Sequence, residues 1–570
     1  MAYSRKTNIP LVLPLTLFLI SALVGVWASY DQRASWIKFV LIAIGVAAYI
    51  LIVVVLGQVG ARRTSREDSE PNRWLSTFVW VLVAVSAALA VLYVTQYDFG
   101  AKPTKIAFLT EIGRLLNAVT PNLSALSLER DGIVGTLEIT FPIALVLAYH
   151  TRHKTPRTSF IAALILTLLI GFGLAMASSV RTWFALGVVF GGVFLLERER
   201  LRGLLPLWQW ILIALGVGLV VLVAVFLAAG PNSVNYWLSG VPFRNRLFGF
   251  FESNAQTWRL IHAYFFTGSG LGVYAMVLSS YDLLYQVPFL YHTNNTFLQI
   301  WIEQGILGII GFVWLWTAFY YYAWMFRADL NWLAKAGLLA ATAMFVHDLV
   351  DVRLYATKAL PMMFVPLALT VAAICDVRLR RAAVTKVNRS RLVLVAPLAF
   401  AVILAGLVLI NKPRALWYVN LGSVSQTRIE LGQYSFPERL PEFVRRDTDL
   451  SQAESFFQQA LALDQGNVVA NQRLGAIALA RGNYELAKTY FKSAYQRDAT
   501  NGVTQRLLGD AYLALGEMEQ ARAVWSQIGD ASIKLQIDGW LYFQTRGDQE
   551  RAARASEFAQ QITPGGATQP

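Results

Sequence analysis

The stretch YHTNNTFLQIWIEQGILGIIGF (291–312) sets a polar cluster, His292 to Thr296, at the entrance of an apolar run that carries one carboxylate, Glu303. An imidazole with an ordinary pKa of ~6.5 is well matched to taking a proton near neutral pH. His292 is therefore the first candidate for a general base. Asp348 and Asp351, a carboxylate pair at the end of another apolar run, stand behind it. Binding an anion calls for a different residue, because the planar guanidinium fork meets phosphate-like oxygens two at a time. Arg181 is the first candidate, in the SSVRTW turn (178–183) between two apolar runs, followed by Arg259 and Arg246. Asn294, Asn295 and Glu303 are candidates for lining a cavity and orienting its groups. Each residue also has a structural reading. Arg181 can snorkel at an interface, and Arg259 can be the wet side of an amphipathic helix. His292 can hydrogen-bond the backbone at a helix start, and Asp348 and Asp351 can pair with Arg353 or with Arg181 itself.

The elements that must position these groups are apolar. The 570 residues are 56% hydrophobic and only 15% charged, the profile of a polytopic membrane protein. Segments long enough to cross ~30 Å of hydrocarbon lie near 8–30, 36–59, 74–95, 132–150, 158–178, 181–196, 205–230, 297–325, 333–352, 359–376 and 392–410. The first is read as a retained span, since no convincing cleavage site follows it. The expectation is an all-α fold with about eleven spans over 1–410. With the N-terminus inside, twenty Lys and Arg residues fall in inside segments, from Arg5 and Lys6 to Arg389 and Arg391. The positive-inside rule then puts the C-terminus outside.

An outer loop at 231–296 exceeds the ~2–8 residues that join packed helices. Its middle places Trp258, Ile261, Phe265 and Leu260 on one side of a short helix, with Arg259 and His262 pointing elsewhere. GSGLG (268–272) lacks the strand and acidic partner of a dinucleotide loop, so its glycines are read as a sharp return toward the bilayer.

The formal charge of +14 needs no nucleic acid, because residues 411–570 hold 17 basic and 17 acidic residues and the excess sits in the inside loops. The lone cysteine, Cys375, forms no disulfide within the chain. The five histidines show no metal-ligand spacing, so neither metal nor cofactor is expected.

Composition changes after 411, with a linker expected over 411–449. Gly475, Gly482, Ala487, Phe491 and Ala494 recur 34 residues on as Gly509, Gly516, Ala521, Trp525 and Ile528. Ala453, Phe457 and Ala460 fit one period earlier. This is the register of a tetratricopeptide repeat, expected over 450–562 with a disordered tail at 563–570. Such a stack can offer a concave surface to a partner protein or serve as a spacer on its own membrane domain.

The outer loop with its Trp helix and GxG return, then the His/Asn cluster, LQ, ExG and a span, resembles the O-antigen ligase and polysaccharide polymerase superfamily. RDGIVGTLEITFPIALVLA (130–148), SSVRTW (178–183) and HDLVD (347–351) agree in the same order, so the resemblance covers most of 130–376. The family pattern has a His directly before the Asn of HN-x-x-L-Q. Here Asn294 holds that place and His292 lies two residues earlier, while Asn254 stands where the loop helix usually offers an Arg. The resemblance implies a glycosyltransferase at the outer face of the bacterial cytoplasmic membrane, taking a glycan from a polyprenyl-pyrophosphate carrier to a hydroxyl acceptor. His292 or Asp348 would act as base, and Arg181, Arg259 and Arg246 would hold the donor pyrophosphate. A transporter would want ionisable groups at mid-membrane and paired halves, which the sequence lacks. A non-catalytic receptor presenting the repeats would not need the long loop or the HTNN cluster.

Overall fold

The computed structural model describes residues 9–59, 61, 71–104, 106–121, 129–196, 254–284, 288, 290–380, 402, 406, 412–436, 438–439, 441–528, 548–550, 552–554 and 556. Arg246, the expected span near 205–230, nearly all of 392–410 and the tail at 563–570 lie outside these residues. Among the described residues the chain is helical, with one isolated bridge between Ser435 and Arg439.

The apolar half comprises α1 (Val12–Ala28), α2 (Gln32–Leu51, running on as a π-helix to Val59), α3 (Arg73–Gln96), α4 (Ala107–Val119), α5 (Arg130–Lys154), α6 (Arg157–Ala177) and α7 (Val180–Leu196). After the loop come α8 (Tyr274–Tyr281), α9 (Thr296–Met325), α10 (Trp332–Asp348) and α11 (Val365–Arg380, entered through a 3-10 turn). All of these except α4 and α8 fall on expected spans. Six described helices are long and apolar enough to cross a membrane, and Val12–Ala28 and Val180–Gly191 are apolar but shorter. Their outward faces keep large apolar side chains in the open, among them Ile20, Leu51, Val81 and Leu168. A helix apolar all round has no wet face and belongs in a core or in lipid.

The span at α5 and the one ending in α11 are instead buried over 78% and 89% of their apolar windows, so they form the centre. The link 351–358 rests on α5 where the sequence has glycine. A Cβ at Gly135 would come 2.8 Å from Leu354 Cδ2, closer than such atoms pack. At the far end of the bundle Asp376 accepts hydrogen bonds from the Asn72 backbone and side chain and pairs with Arg380 at 2.7 Å.

Helix α9 is broken at Gly305, whose φ of 69° is open to glycine and strained for other residues. The break is filled by the loop that precedes α9. Ser269 N donates to Ile302 O at 2.6 Å and Ile306 N donates to Phe265 O at 3.0 Å, satisfying groups that an interrupted helix leaves unpaired. Gly268, Gly270 and Gly272 all take positive φ, and a Cβ on Gly268 would lie 2.5 Å from the Glu303 carbonyl oxygen. The glycines therefore let the loop plug α9 as well as turn the chain.

Residues expected as a linker are helical: α12 (Pro413–Gly432) and α13 (Pro441–Asp447). They precede α14 (Ser451–Leu463), α15 (Val468–Ala480), α16 (Tyr484–Arg497), α17 (Gly502–Leu515) and α18 (Met518–Trp525). Phe457, Phe491 and Trp525 are fully buried, each against a glycine of the preceding long helix: Gly422, Gly475 and Gly509. The aromatic-on-glycine packing thus reaches back into α12. Periodicity missed it because α12 buries Asn420, Ser423, Gln426, Thr427 and Glu430 and so shows no apolar stripe.

Candidate active site

A cavity of about 210 Å³ opens where the starts of α5 and α7, the end of α6 and the link after α10 converge. Its wall holds three guanidinium groups, Arg130, Arg181 and Arg353, with Asp131 and Asp351. The α6–α7 turn is tight: Ser178 takes φ 47° and closes α6, so Arg181 leaves from the first turn of α7. Arg181 Nη1 contacts Asp351 Oδ1 at 2.6 Å, and its Nη2 donates to Asn294 Oδ1 at 3.3 Å. Arg130 donates to the Ala177 carbonyl at 2.7 Å, tying the start of α5 to the end of α6.

Arg353 is the fixed member. It is buried, donates to Ser179 Oγ at 2.8 Å and to Thr182, and sits 3.4 Å from Glu138 and 3.5 Å from Asp351. Behind it His347 bridges Glu138 at 2.8 Å and Asp351 at 3.3 Å. Buried charges persist when paired in this way. Asp351 therefore takes the structural pairing anticipated for it, with both arginines. Asp348 turns the other way, accepting from Thr296 Oγ1 at 2.9 Å, and among the described residues its second oxygen has no hydrogen-bond partner.

The polar cluster before α9 divides its work. Asn295 caps the helix, accepting from Phe297 N and Leu298 N at 2.8 and 3.1 Å, and it donates to the Leu349 carbonyl. The helix-start role thus belongs to Asn295, and His292 stands outside that cap, exposed. Desolvation by the surrounding chain, then the Lys38 ammonium, lower the His292 pKa from its ordinary 6.5, while Asp131 and Asp351 oppose the shift. At neutral pH the imidazole is neutral and free to accept a proton. Glu303 is buried and saturated by Lys38 at 2.7 Å, Gln299 at 2.8 Å and Tyr355 at 3.0 Å. Gln299 Oε1 in turn accepts from Thr293 N at 2.8 Å. Glu303 orients the cluster through Gln299.

The structure gathers Arg181, Asn294 and Asp351, with His292 within electrostatic reach of Asp351 and Asp131. Arg259 lies elsewhere, on the loop helix at 254–263, in the wall of a second cavity shared with the repeat helices. Arg130, Glu138 and His347 had no site role in the sequence reading, and Arg353 appeared only as a pairing partner. The signal for Glu138 was a carboxylate inside an apolar span, costly unless paired. For Arg130 and Arg353 the sequence offers only proximity to span ends.

Helix α12 and the repeat helix α15 are held to the loop by buried polar contacts, Arg473 of α15 donating to the Tyr264 hydroxyl at 3.2 Å. Asn420 Oδ1 accepts from Phe266 N and Thr267 N at 2.9 and 3.2 Å. Glu430 accepts from the Tyr281 hydroxyl of the loop at 2.9 Å and, within its own half, from Arg445 Nε and Nη2, each at 2.9 Å. Repeats, loop and arginine cavity consequently share one end of the bundle.

The tetratricopeptide-repeat family matches residues 478–531. No curated protein and no solved structure matches the chain.

Proposed function

We propose that the chain is a membrane glycosyltransferase, with a glycan on a polyprenyl-pyrophosphate carrier as donor and a hydroxyl of a glycan, lipid-linked glycan or protein as acceptor. The observation that carries this reading is the cavity bearing Arg130, Arg181 and Arg353 at the end of a lipid-suited helix bundle. In the reaction the acceptor oxygen attacks the anomeric carbon and its proton passes to His292. The carbon–oxygen bond to phosphate breaks, and its electron pair leaves with the pyrophosphate. Charge grows on the leaving group, and preorganised donors aimed at growing charge lower the barrier. Arg353 is preorganised by Ser179, Thr182 and Glu138. Arg181, half-exposed and tied to Asp351 and Asn294, exchanges those partners for phosphate oxygens. The resemblance to O-antigen ligases and polysaccharide polymerases is a further ground for this reading, under which the site would face outward from the bacterial cytoplasmic membrane.

The test is reconstitution of the purified chain in liposomes with a polyprenyl-pyrophosphate-linked glycan and candidate acceptors. The proposal expects one polyprenyl pyrophosphate released per glycan transferred. Absence of transfer to glycan, lipid-linked and protein acceptors alike, with the donor intact, would refute it.

A further inference from the structure

A second cavity, about 490 Å³, lies between the loop helix at 254–263 and the repeat helices, within the ~300–1,000 Å³ typical of small-ligand sites. We infer that it binds an oligosaccharide, the glycan portion of donor or acceptor, and this rests on the glycosyltransferase reading above. One wall carries Trp258, more than a third exposed, whose indole stands perpendicular to the Trp301 indole and the His262 imidazole, each 5.3 Å away. An exposed aromatic ring held in place by its neighbours is what the apolar face of a pyranose stacks on. Beside it Arg259 and, from the repeats, Arg497 line the cavity, and among the described residues neither has a hydrogen-bond or ion-pair partner.

The rest of the lining mixes apolar side chains with polar and charged ones, among them Lys412 paired with Asp464 at 2.8 Å. Gln472, Asn501, Asp282 and Asp498 also line it, a mixture that serves hydroxyl groups, each of which donates and accepts. An acyl chain would leave the Arg259 and Arg497 guanidinium groups without a partner, at a cost. A run of acidic side chains would meet three carboxylates, Asp282, Asp464 and Asp498. The cavity needs both walls, and the clamp through Asn420 and Glu430 keeps them together. It shares no lining residue with the arginine cavity, so sugar binding and pyrophosphate binding can be separated.

The experiment titrates the full-length protein in nanodiscs with oligosaccharides released by mild acid from the host's own polyprenyl carriers, stripped of lipid and phosphate. Arg497→Ala, at an exposed position, and Trp258→Ala are compared with the parent, with hexaglutamate as a second probe. Saturable oligosaccharide binding, weakened about tenfold or more in both variants at unchanged Tm, is expected, since each removes one strong contact. No binding by the parent, or binding untouched by either variant, overturns the inference. Hexaglutamate binding that depends on Arg497, in place of the oligosaccharide, overturns the glycan assignment. A parent that binds the sugar but transfers none refutes the transferase reading alone. Transfer without this binding refutes the cavity's role alone.

Discussion

Replacing Arg181 with lysine keeps the charge and removes the fork. In the resting structure two of its nitrogens serve two partners, Asp351 at 2.6 Å and Asn294 at 3.3 Å, and a phosphate would take the same two-pronged contact. A lysine ammonium is a single point charge, so the variant forfeits one charge-assisted hydrogen bond. Such bonds contribute about 1.5–3 kcal/mol, and at 1.36 kcal/mol per decade the transfer rate should fall about ten- to two-hundred-fold. Stability should scarcely move, because the Arg181 side chain is 44% exposed and exposed ion pairs contribute about 0–1 kcal/mol. The assay is initial-rate transfer of a fluorescent lipid-linked glycan by the protein in liposomes, with Tm measured on the same preparation. Arg353→Lys makes a useful contrast: Arg353 is buried and bonded to Ser179 and Thr182, so that variant should lose stability as well. Parental transfer by Arg181→Lys would return Arg181 to an interfacial arginine and refute the reasoning.

His292→Ala should lower turnover by about 10²- to 10⁴-fold. The parental rate should fall on acidification through a pKa below 6.5, because the lowered pKa keeps the base neutral until then; a rate that already falls above pH 6.5 would remove His292 as the base. Glu303→Ala strands the buried Lys38 ammonium and should destabilise the protein by about 3–5 kcal/mol, read as lost thermal stability in detergent; an unchanged melting curve would contradict the orienting network. Under the orientation expected from the positive-inside rule for twenty Lys and Arg residues, fusion of a cytoplasm-dependent reporter after residue 420 should be silent. An active fusion would reverse the orientation.

The helices of the apolar half were legible because runs of about twenty apolar residues leave few alternatives. The repeats were legible because Phe457, Phe491 and Trp525 recur with their small partners. Helix α12 escaped because its buried face is polar and is satisfied by Thr267, Tyr264 and Tyr281, partners remote in sequence. The same remoteness hid most of the site. Arg181, Asn294 and Asp351 could be nominated by type and position, but Arg130 and Arg353 become part of one cavity only when α5, the α6–α7 turn and the link after α10 meet. Arg259 shows the converse: a suitable residue type in a suitable loop faces a different cavity, because the loop helix buries Ile261 in the cluster with Trp301 and Ile302 of α9.

The central claim is that the arginine cavity holds the donor's pyrophosphate, and photo-crosslinking tests it most directly. A polyprenyl pyrophosphate carrying a photoreactive group beside the phosphates, added to the reconstituted protein and followed by peptide mass spectrometry, should mark peptides spanning Ser179–Arg181 or Asp351–Arg353. Excess unlabelled carrier should abolish the labelling. Labelling confined to the loop helix around Arg259, or absent from both cavity segments, would contradict the account.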